Sequence, residues 1–395
     1  MEPVVITGLG AISCLGRGVE AFWRGLGAAS SRPRRARDPY AHMERPLMYA
    51  VPQCDVPADG LRLDGVPLGR ASRFAVEAAR QAVSEAALDA GASARVGVVM
   101  GTGMGDAGLH EQWRVDDALT EAAWAPAHLV AAAVGDALGA VGAVSSISNA
   151  CAASGFAISV GADMVRCGEA DVVVAGGAEG YSRVALACFN RLGAIDPLRC
   201  RPFDARRGGT VFGEGAGAVV LESESHALRR GAPRPYARLS GAGWSCDAHH
   251  PTAPEPSGEQ IVRAMRQAIR DSAAPVDDVA CVVPHGTGTQ LNDVVESRAL
   301  HQVLGPRCPD VPLYSLKALI GHTGGAAGAL ATVAAALILH RGETPPNAPV
   351  EDQDPDCDVW LPQHDATRLD GGHVLVNAYA FGGNNVSLLL EGTSP

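Results

Sequence analysis

Lysine is almost absent from this chain: of 32 basic residues only Lys317 is lysine, and the rest are arginine. Aromatic residues make up 5%, which excludes an aromatic stacking platform; with 47 glycines and many alanines, the composition suits close-packed helices and tight turns. Ten cysteines are scattered without a C-x-x-C pair, which excludes a zinc ribbon or dithiol redox motif. No apolar run reaches the ~18 residues of a membrane span. The longest, 326–339, is broken by Gly328 and Thr332 and reads as a buried helix. The start, Met1-Glu2-Pro3 before Val4-Val5-Ile6, lacks the basic region and long apolar core of a signal peptide. Free thiols and no leader make a cytoplasmic location the expectation. Basic charge is also in deficit: the net charge of −11 excludes a general nucleic-acid binder.

What is present is a globular α/β pattern. The 395 residues exceed what one hydrophobic core usually organises, so two core-forming halves are expected, 1–225 and 226–395. Short apolar runs at 4–7, 96–100, 143–147, 172–175, 218–221, 279–283, 313–315, 374–376 and 386–390 read as buried parallel strands. Ala-rich stretches at 73–90, 152–167, 258–272, 294–304 and 325–341 read as helices between them. The pattern is doubled. A strand, Asn149-Ala150-Cys151 and an Ala/Gly-rich helix in one half match a strand, residues 317–322 and an Ala/Gly-rich helix in the other. Two copies of one unit would turn their strand-to-helix junctions toward a shared cleft.

Four features carry chemistry. Cys151 stands where a buried helix begins, so aligned N–H groups and the helix dipole would favour its thiolate. The same position also suits an inert buried cysteine. His285, in Pro284-His285-Gly286-Thr287-Gly288-Thr289, and His322, in Gly321-His322-Thr323-Gly324-Gly325, lie in turns after strands. There a neutral imidazole donates to an oxygen gaining charge, or simply caps backbone. Phe381-Gly382-Gly383 follows Ala380 and reads as a gate or as a plain turn. Lys317 is the site that kept a compact, flexible ammonium in a chain that otherwise uses arginine's planar fork. The glycine-rich 208–217 lacks the Lys-Ser/Thr end of a P-loop.

Taken in order along nearly the whole chain, these stretches resemble the β-ketoacyl synthases of the thiolase fold, in the type II elongating class. The matching segments run from Val4-Val5-Ile6-Thr7-Gly8-Leu9-Gly10 through Asn149-Ala150-Cys151-Ala152-Ala153-Ser154, Val174-Ala175-Gly176-Gly177-Ala178-Glu179, Arg201-Pro202-Phe203-Asp204, Gly213-Glu214-Gly215-Ala216-Gly217, His285-Gly286-Thr287-Gly288-Thr289 and Lys317-Ala318-Leu319-Ile320-Gly321-His322 to Phe381-Gly382-Gly383. The resemblance implies an α/β fold of two duplicated βαβαβ-type halves in five α-β-α-β-α layers. It implies that Cys151 carries an acyl thioester and that His285 and His322 hold a malonyl thioester during loss of its carboxylate. Lys317 and Glu296 would support them. The N–H groups of Cys151 and Phe381 would form the oxyanion hole, with Gly382 and Gly383 completing the gate.

By the same resemblance, Thr287 and Thr289 would contact phosphopantetheine, while Met104 and Phe189 would line the acyl pocket. Arg70, Arg73, Arg206 and Arg207 would dock an acidic acyl carrier protein, with Arg32, Arg34 and Arg35 as further contacts. No metal or bound cofactor is implied; the phosphopantetheine arrives on the carrier. The partners implied are that carrier and a second subunit, identical or related, with neither nucleic acid nor membrane.

The chain departs from the family pattern in places. The segment between Gly101 and Cys151 is short, Ala380 precedes the Phe, Asn384 follows the glycines, and Gly324 replaces a larger apolar residue. These point to a specialised synthase, in polyketide or specialised fatty-acid biosynthesis. Two alternatives keep the same cysteine: an acyltransferase without decarboxylation, and a partner subunit of a heterodimeric ketosynthase. A thiolase fits less well, because Cys357 sits in an acidic stretch ahead of the Phe381 loop and gives no clear second catalytic thiol.

Overall fold

The computed structural model describes residues 2–58, 60–88, 95–115 and 125–393. Nine strands and six helices position the site. In the first half these are β1 (Val4–Ser13), α1 (Arg70–Glu85), β2 (Val96–Gly101), α2 (Leu129–Leu138), β3 (Val144–Ile147), α3 (Ala153–Arg166), β4 (Val172–Glu179) and β5 (Gly215–Ser223). In the second they are β6 (Ala237–Cys246), α4 (Glu259–Ser272), β7 (Val279–Val283), α5 (Gln290–Leu304), α6 (Ala327–Arg341), β8 (His373–Tyr379) and β9 (Asn384–Glu391). The strands form one sheet in the order β7-β8-β9-β6-β1-β5-β4-β2-β3.

The duplication is explicit in the pairing. From β1 outward the neighbours are β5, β4, β2 and β3, joined antiparallel, antiparallel, parallel and parallel. From β6 outward they are β9, β8 and β7, joined antiparallel, antiparallel and parallel. A parallel bridge from Val282 to Leu313 then stands in for the fifth strand. The halves meet where β1 pairs with β6, over Val4–Ile6 only. α1 covers β1, β5 and β4; α4 covers β6 and β9. α3 and α6 pack on each other and fill the space between the two halves of the sheet. Every residue of α6 from Ala327 to Ile338 is buried, so this long apolar helix is the protein's core.

Glycine sets how closely the outer helices approach. A Cβ on Gly8 or Gly10 of β1 would lie 2.0 or 1.9 Å from the carbonyl oxygens of Ala82 and Ala78 on α1. A Cβ on Gly241 or Gly243 of β6 would lie 2.0 Å from those of Ala268 and Ala264 on α4. The same device therefore recurs in both halves, and it hides β6 from a reading that looks for β-branched residues.

Three expectations need correction. The runs at 4–7, 218–221 and 386–390 are strands, but they pair antiparallel. They lie mid-sheet under helices on both faces, so they show the continuous apolar signature usually left by parallel strands. Residues 313–315 make isolated bridges rather than a strand, beside Pro312, which has no N–H to donate. The helix expected at 73–90 runs from Arg70 to Glu85, and its expected last two positions lie outside the described residues.

Gly241→Ala should lower folding stability by about 1–3 kcal/mol, because α4 has nowhere to retreat. Gly372→Ala, whose added carbon meets nothing within 4 Å, should stay within about 0.5 kcal/mol of wild type in the same denaturant titration.

Candidate active site

Cys151 sits in a short 3-10 turn, Ala150–Ala152, that leads into α3. Ala150 adopts a left-handed backbone, φ 55°, which costs an alanine about 1–2 kcal/mol and turns the chain sharply just before the sulfur. The N–H groups of Phe381 and of Cys151 itself both reach the sulfur. The expected low thiol pKa is not what the site produces. Burial dominates and pushes it up to about 12, against the opposing pull of the Lys317 charge. The resting sulfur is a thiol.

His285 follows β7 and is buried. Its Nδ1 accepts the N–H of Tyr379 at 3.2 Å and faces the Lys317 ammonium at 3.4 Å. With Nδ1 occupied as acceptor, the neutral ring carries its proton on Nε2, ready to donate. The Lys317 ammonium also donates to the His285 carbonyl oxygen. Burial depresses the pKa of both imidazoles, His322 to about 3 with help from the Lys317 charge, so both are neutral at pH 7. The two rings lie 5.6 Å apart at 87°.

Behind His285, Glu296 of α5 accepts the N–H groups of His285 and Gly286, each at 2.7 Å. Burial raises its carboxyl to about 7 despite those bonds. Asp293, one turn earlier, accepts the N–H of Phe203 at 2.8 Å and those of Thr287 and Gly288. These two carboxylates shape the His285–Thr289 turn, and only Glu296 was expected from the sequence. An acid three residues before another, on one helix face, was the available signal.

Cys151, His285, His322, Thr287, Thr289, Phe189, Phe381 and Gly382 all line one cavity of about 320 Å³. Thr287 and Thr289 join their hydroxyls at 2.9 Å. Phe381 stacks on Phe189 with ring centres 5.5 Å apart. Lys317 and Glu296 stand behind His285 and do not line the cavity. The positive-φ residues of the gate are Gly382 and Gly383, at 83° and 78°. Ala380 is not among them, so alanine there needs no glycine freedom.

Other expected residues lie apart from this cavity. Met104 is exposed and absent from the cavity wall; its N–H instead binds the carboxylate of Glu179. Arg207 cannot dock a partner. It is wholly buried, and its guanidinium donates to Asp354 at 2.5 Å and to the carbonyls of Asp204, Thr289 and Gln290. Arg70 clasps the buried Glu214. Arg73 reaches the carbonyl of Pro57 at 3.0 Å. Of the four, Arg206 is the exposed one, and it pairs with Glu351. Arg34 and Arg35 form an exposed two-residue strand.

Comparison with known proteins decides the family. The N-terminal domain model of β-ketoacyl synthases matches residues 1–227, and the C-terminal domain model matches 236–351. The chain belongs to the β-ketoacyl synthase family. It is 34% identical to nodulation protein E of Rhizobium meliloti over 98% of both chains. It is 34% identical to the tetracenomycin polyketide synthase ketoacyl synthase alpha subunit of Streptomyces glaucescens, covering 97% of this chain and 95% of that one. It is 32% identical to 3-oxoacyl-[acyl-carrier-protein] synthase 2 of Synechocystis, covering 99% and 98%. Among solved structures, the ishigamide ketosynthase/chain length factor superposes over the full length of both chains, with a TM-score of 0.90 and 35% identity. This β-ketoacyl synthase is thus an acyltransferase with a thiolase-like fold, as the motifs implied.

Arg207 also lies 3.6 Å from the buried Asp293 carboxylate, so Arg207→Met strands that acid and three carbonyls and should destabilise the synthase by about 3–5 kcal/mol. Arg206→Ala, which removes only an exposed ion pair with Glu351, should leave the unfolding midpoint unchanged.

Proposed function

We propose that this β-ketoacyl synthase condenses a Cys151-bound acyl group with a malonyl group delivered by an acyl carrier protein. The observation that carries this reading is the convergence of Cys151, two neutral imidazoles and the Phe381 N–H on one cavity. In the first step the sulfur attacks the incoming thioester. The Cys151 proton leaves with the carrier's thiol, and the acyl group stays on the enzyme. In the second, the malonyl thioester loses carbon dioxide and its carbonyl oxygen gains charge. The Nε2–H of His285, with His322 beside it, meets that oxygen. The enolate carbon attacks the acyl-Cys151 carbonyl, whose oxyanion lies against the N–H groups of Cys151 and Phe381. Collapse releases the 3-oxoacyl carrier thioester and a Cys151 thiolate, which regains a proton.

Neutral rings suit this chemistry: a buried imidazolium would cost more to form and could not act as acceptor at Nδ1. Lys317 holds His285 from behind and brings a positive charge toward the sulfur. Thr287 and Thr289, on the cavity wall, would contact the pantetheine arm. The reading asks for no metal or redox cofactor, since each charge formed has a donor in the chain.

The carrier docks at the cavity mouth. Leu192 and Leu291, 48% and 59% exposed, both line the cavity and form an apolar rim. Arg191 is exposed beside Leu192, and Arg206 lies near the Gly208 wall. A basic and apolar rim suits an acidic carrier. A second subunit, identical or related, pairs along β3. This strand ends the sheet, and Val141 and Val144 are exposed beside its edge. The tetracenomycin and ishigamide relatives favour polyketide-type chemistry, and ten unpaired cysteines favour a reducing cytoplasm. The partner-subunit alternative is disfavoured by an intact Cys151, His285 and His322.

Intact-mass spectrometry after incubation with acyl carrier proteins should show one acyl group on the wild type and none on Cys151→Ala. Release of 3-oxoacyl product should fall at least about 10³-fold in that variant; equal product from both overturns the reading. Leu192→Glu with Leu291→Glu should raise KM for carrier-borne substrate about tenfold or more, with kcat within about twofold.

A further inference from the structure

Glu179 ends β4 and is buried away from water, 1% exposed. It forms no salt bridge among the described residues. Its carboxylate instead accepts three backbone N–H groups: Gly103 at 2.8 Å, Met104 at 2.9 Å and Gly325 at 2.7 Å. Gly103 and Met104 belong to the turn after β2, in the half that carries Cys151. Gly325 lies three residues past His322, in the turn that opens α6 of the other half. One side chain therefore joins the two active-site loops across the seam.

The space around it is closed. A Cβ on Gly324 would come within 2.5 Å of the Glu179 Oε2, and one on Gly103 within 2.8 Å. A Cβ on Gly325 would lie 2.4 Å from the N of Gly103, so the loops meet backbone to backbone. The Ser154 hydroxyl, at the start of α3, accepts the N–H of Ala329 at 2.9 Å and makes a parallel tie between the central helices. Glycine at 324 thus follows from the carboxylate occupying the place where a side chain would go.

We infer that Glu179 is a positioning residue for the decarboxylation step, holding the His322 turn in register with the Cys151 half. A carboxylate offers enough lone pairs to accept from both loops at once, and these donors all demand an acceptor. Oε2 accepts from Gly103 and Gly325 and Oε1 from Met104, so an amide turns its NH2 either against the Met104 N–H or against those of Gly103 and Gly325, and in both orientations the three-donor tie is broken. The oxyanion-hole donors, Cys151 and Phe381, do not touch Glu179. The defect should therefore fall on the step that needs His322 and spare the loading of Cys151.

This inference rests on the condensing reading above, and two separate assays test it. Loading is followed as acyl mass on Cys151 from an acyl carrier protein; decarboxylation is followed as carbon dioxide released from a malonyl carrier protein. Glu179→Gln should load within about threefold of wild type and release carbon dioxide at least about tenfold more slowly. Glu179→Asp, still a carboxyl but one methylene too short to reach both loops, should show the same split, and circular-dichroism melts identify a variant that has failed to fold. Should Glu179→Gln not fold, the aspartate variant alone decides. Equal losses in both assays, or no loss in either, overturn the inference. A wild type that neither loads nor decarboxylates overturns the condensing reading and this one with it.

Discussion

Removal of water sets the protonation state of every group around Cys151. Two imidazoles, an ammonium, a thiol and the carboxyls of Glu179, Glu296 and Asp293 are packed where each charged form loses its hydration. The consequences run in a useful direction. Imidazoles kept neutral are donors with a free choice of tautomer, and the Tyr379 N–H makes that choice for His285. A thiol kept protonated is stable until a thioester arrives. Glu179 and Glu296, raised to about 7, serve as acceptors for backbone N–H groups, whereas Asp293 combines such bonds with an ion pair to Arg207.

The doubled architecture explains why the chemistry is divided. In each half a turn of matching position opens the inner helix. One junction delivers Cys151 at the head of α3. Its counterpart delivers Lys317 and His322 ahead of α6. His285 and Thr287 come from the turn after β7, the counterpart of the Thr102–Gly103 turn after β2. Neither half holds a working set alone, so the contacts across the seam govern the geometry. Glu179, Ser154 and the close glycines at 103 and 325 are among those contacts.

Much of this was legible in the sequence. The single lysine, the glycine-flanked histidines and the small residues around Cys151 carry chemistry that tolerates few substitutes, and local pattern exposes them. Less legible were features decided by distant partners. Arg207 looks like any surface arginine until Asp354, Asp293 and three carbonyls surround it. Met104 reads as a pocket residue, but its backbone serves Glu179 and its side chain faces outward. Nor does the sequence reveal that Cys151's helix dipole is overcome by burial, since burial belongs to the folded whole. β6 hid behind Gly241 and Gly243, whose purpose is the nearness of α4. The shortened segment between Gly101 and Cys151 includes residues 116–124, which lie outside the described residues.

The order of the chain has a consequence for biogenesis. α6 is made about a hundred residues after β5, yet it covers the inner faces of β5 and α3. While a ribosome is still producing residues 224–326, the first half already has its five strands but lacks its lining. That nascent product presents a broad oily surface, the kind that chaperones recognise and that self-association exploits. Slow translation through this interval would prolong the hazard, and prompt arrival of α6 would end it.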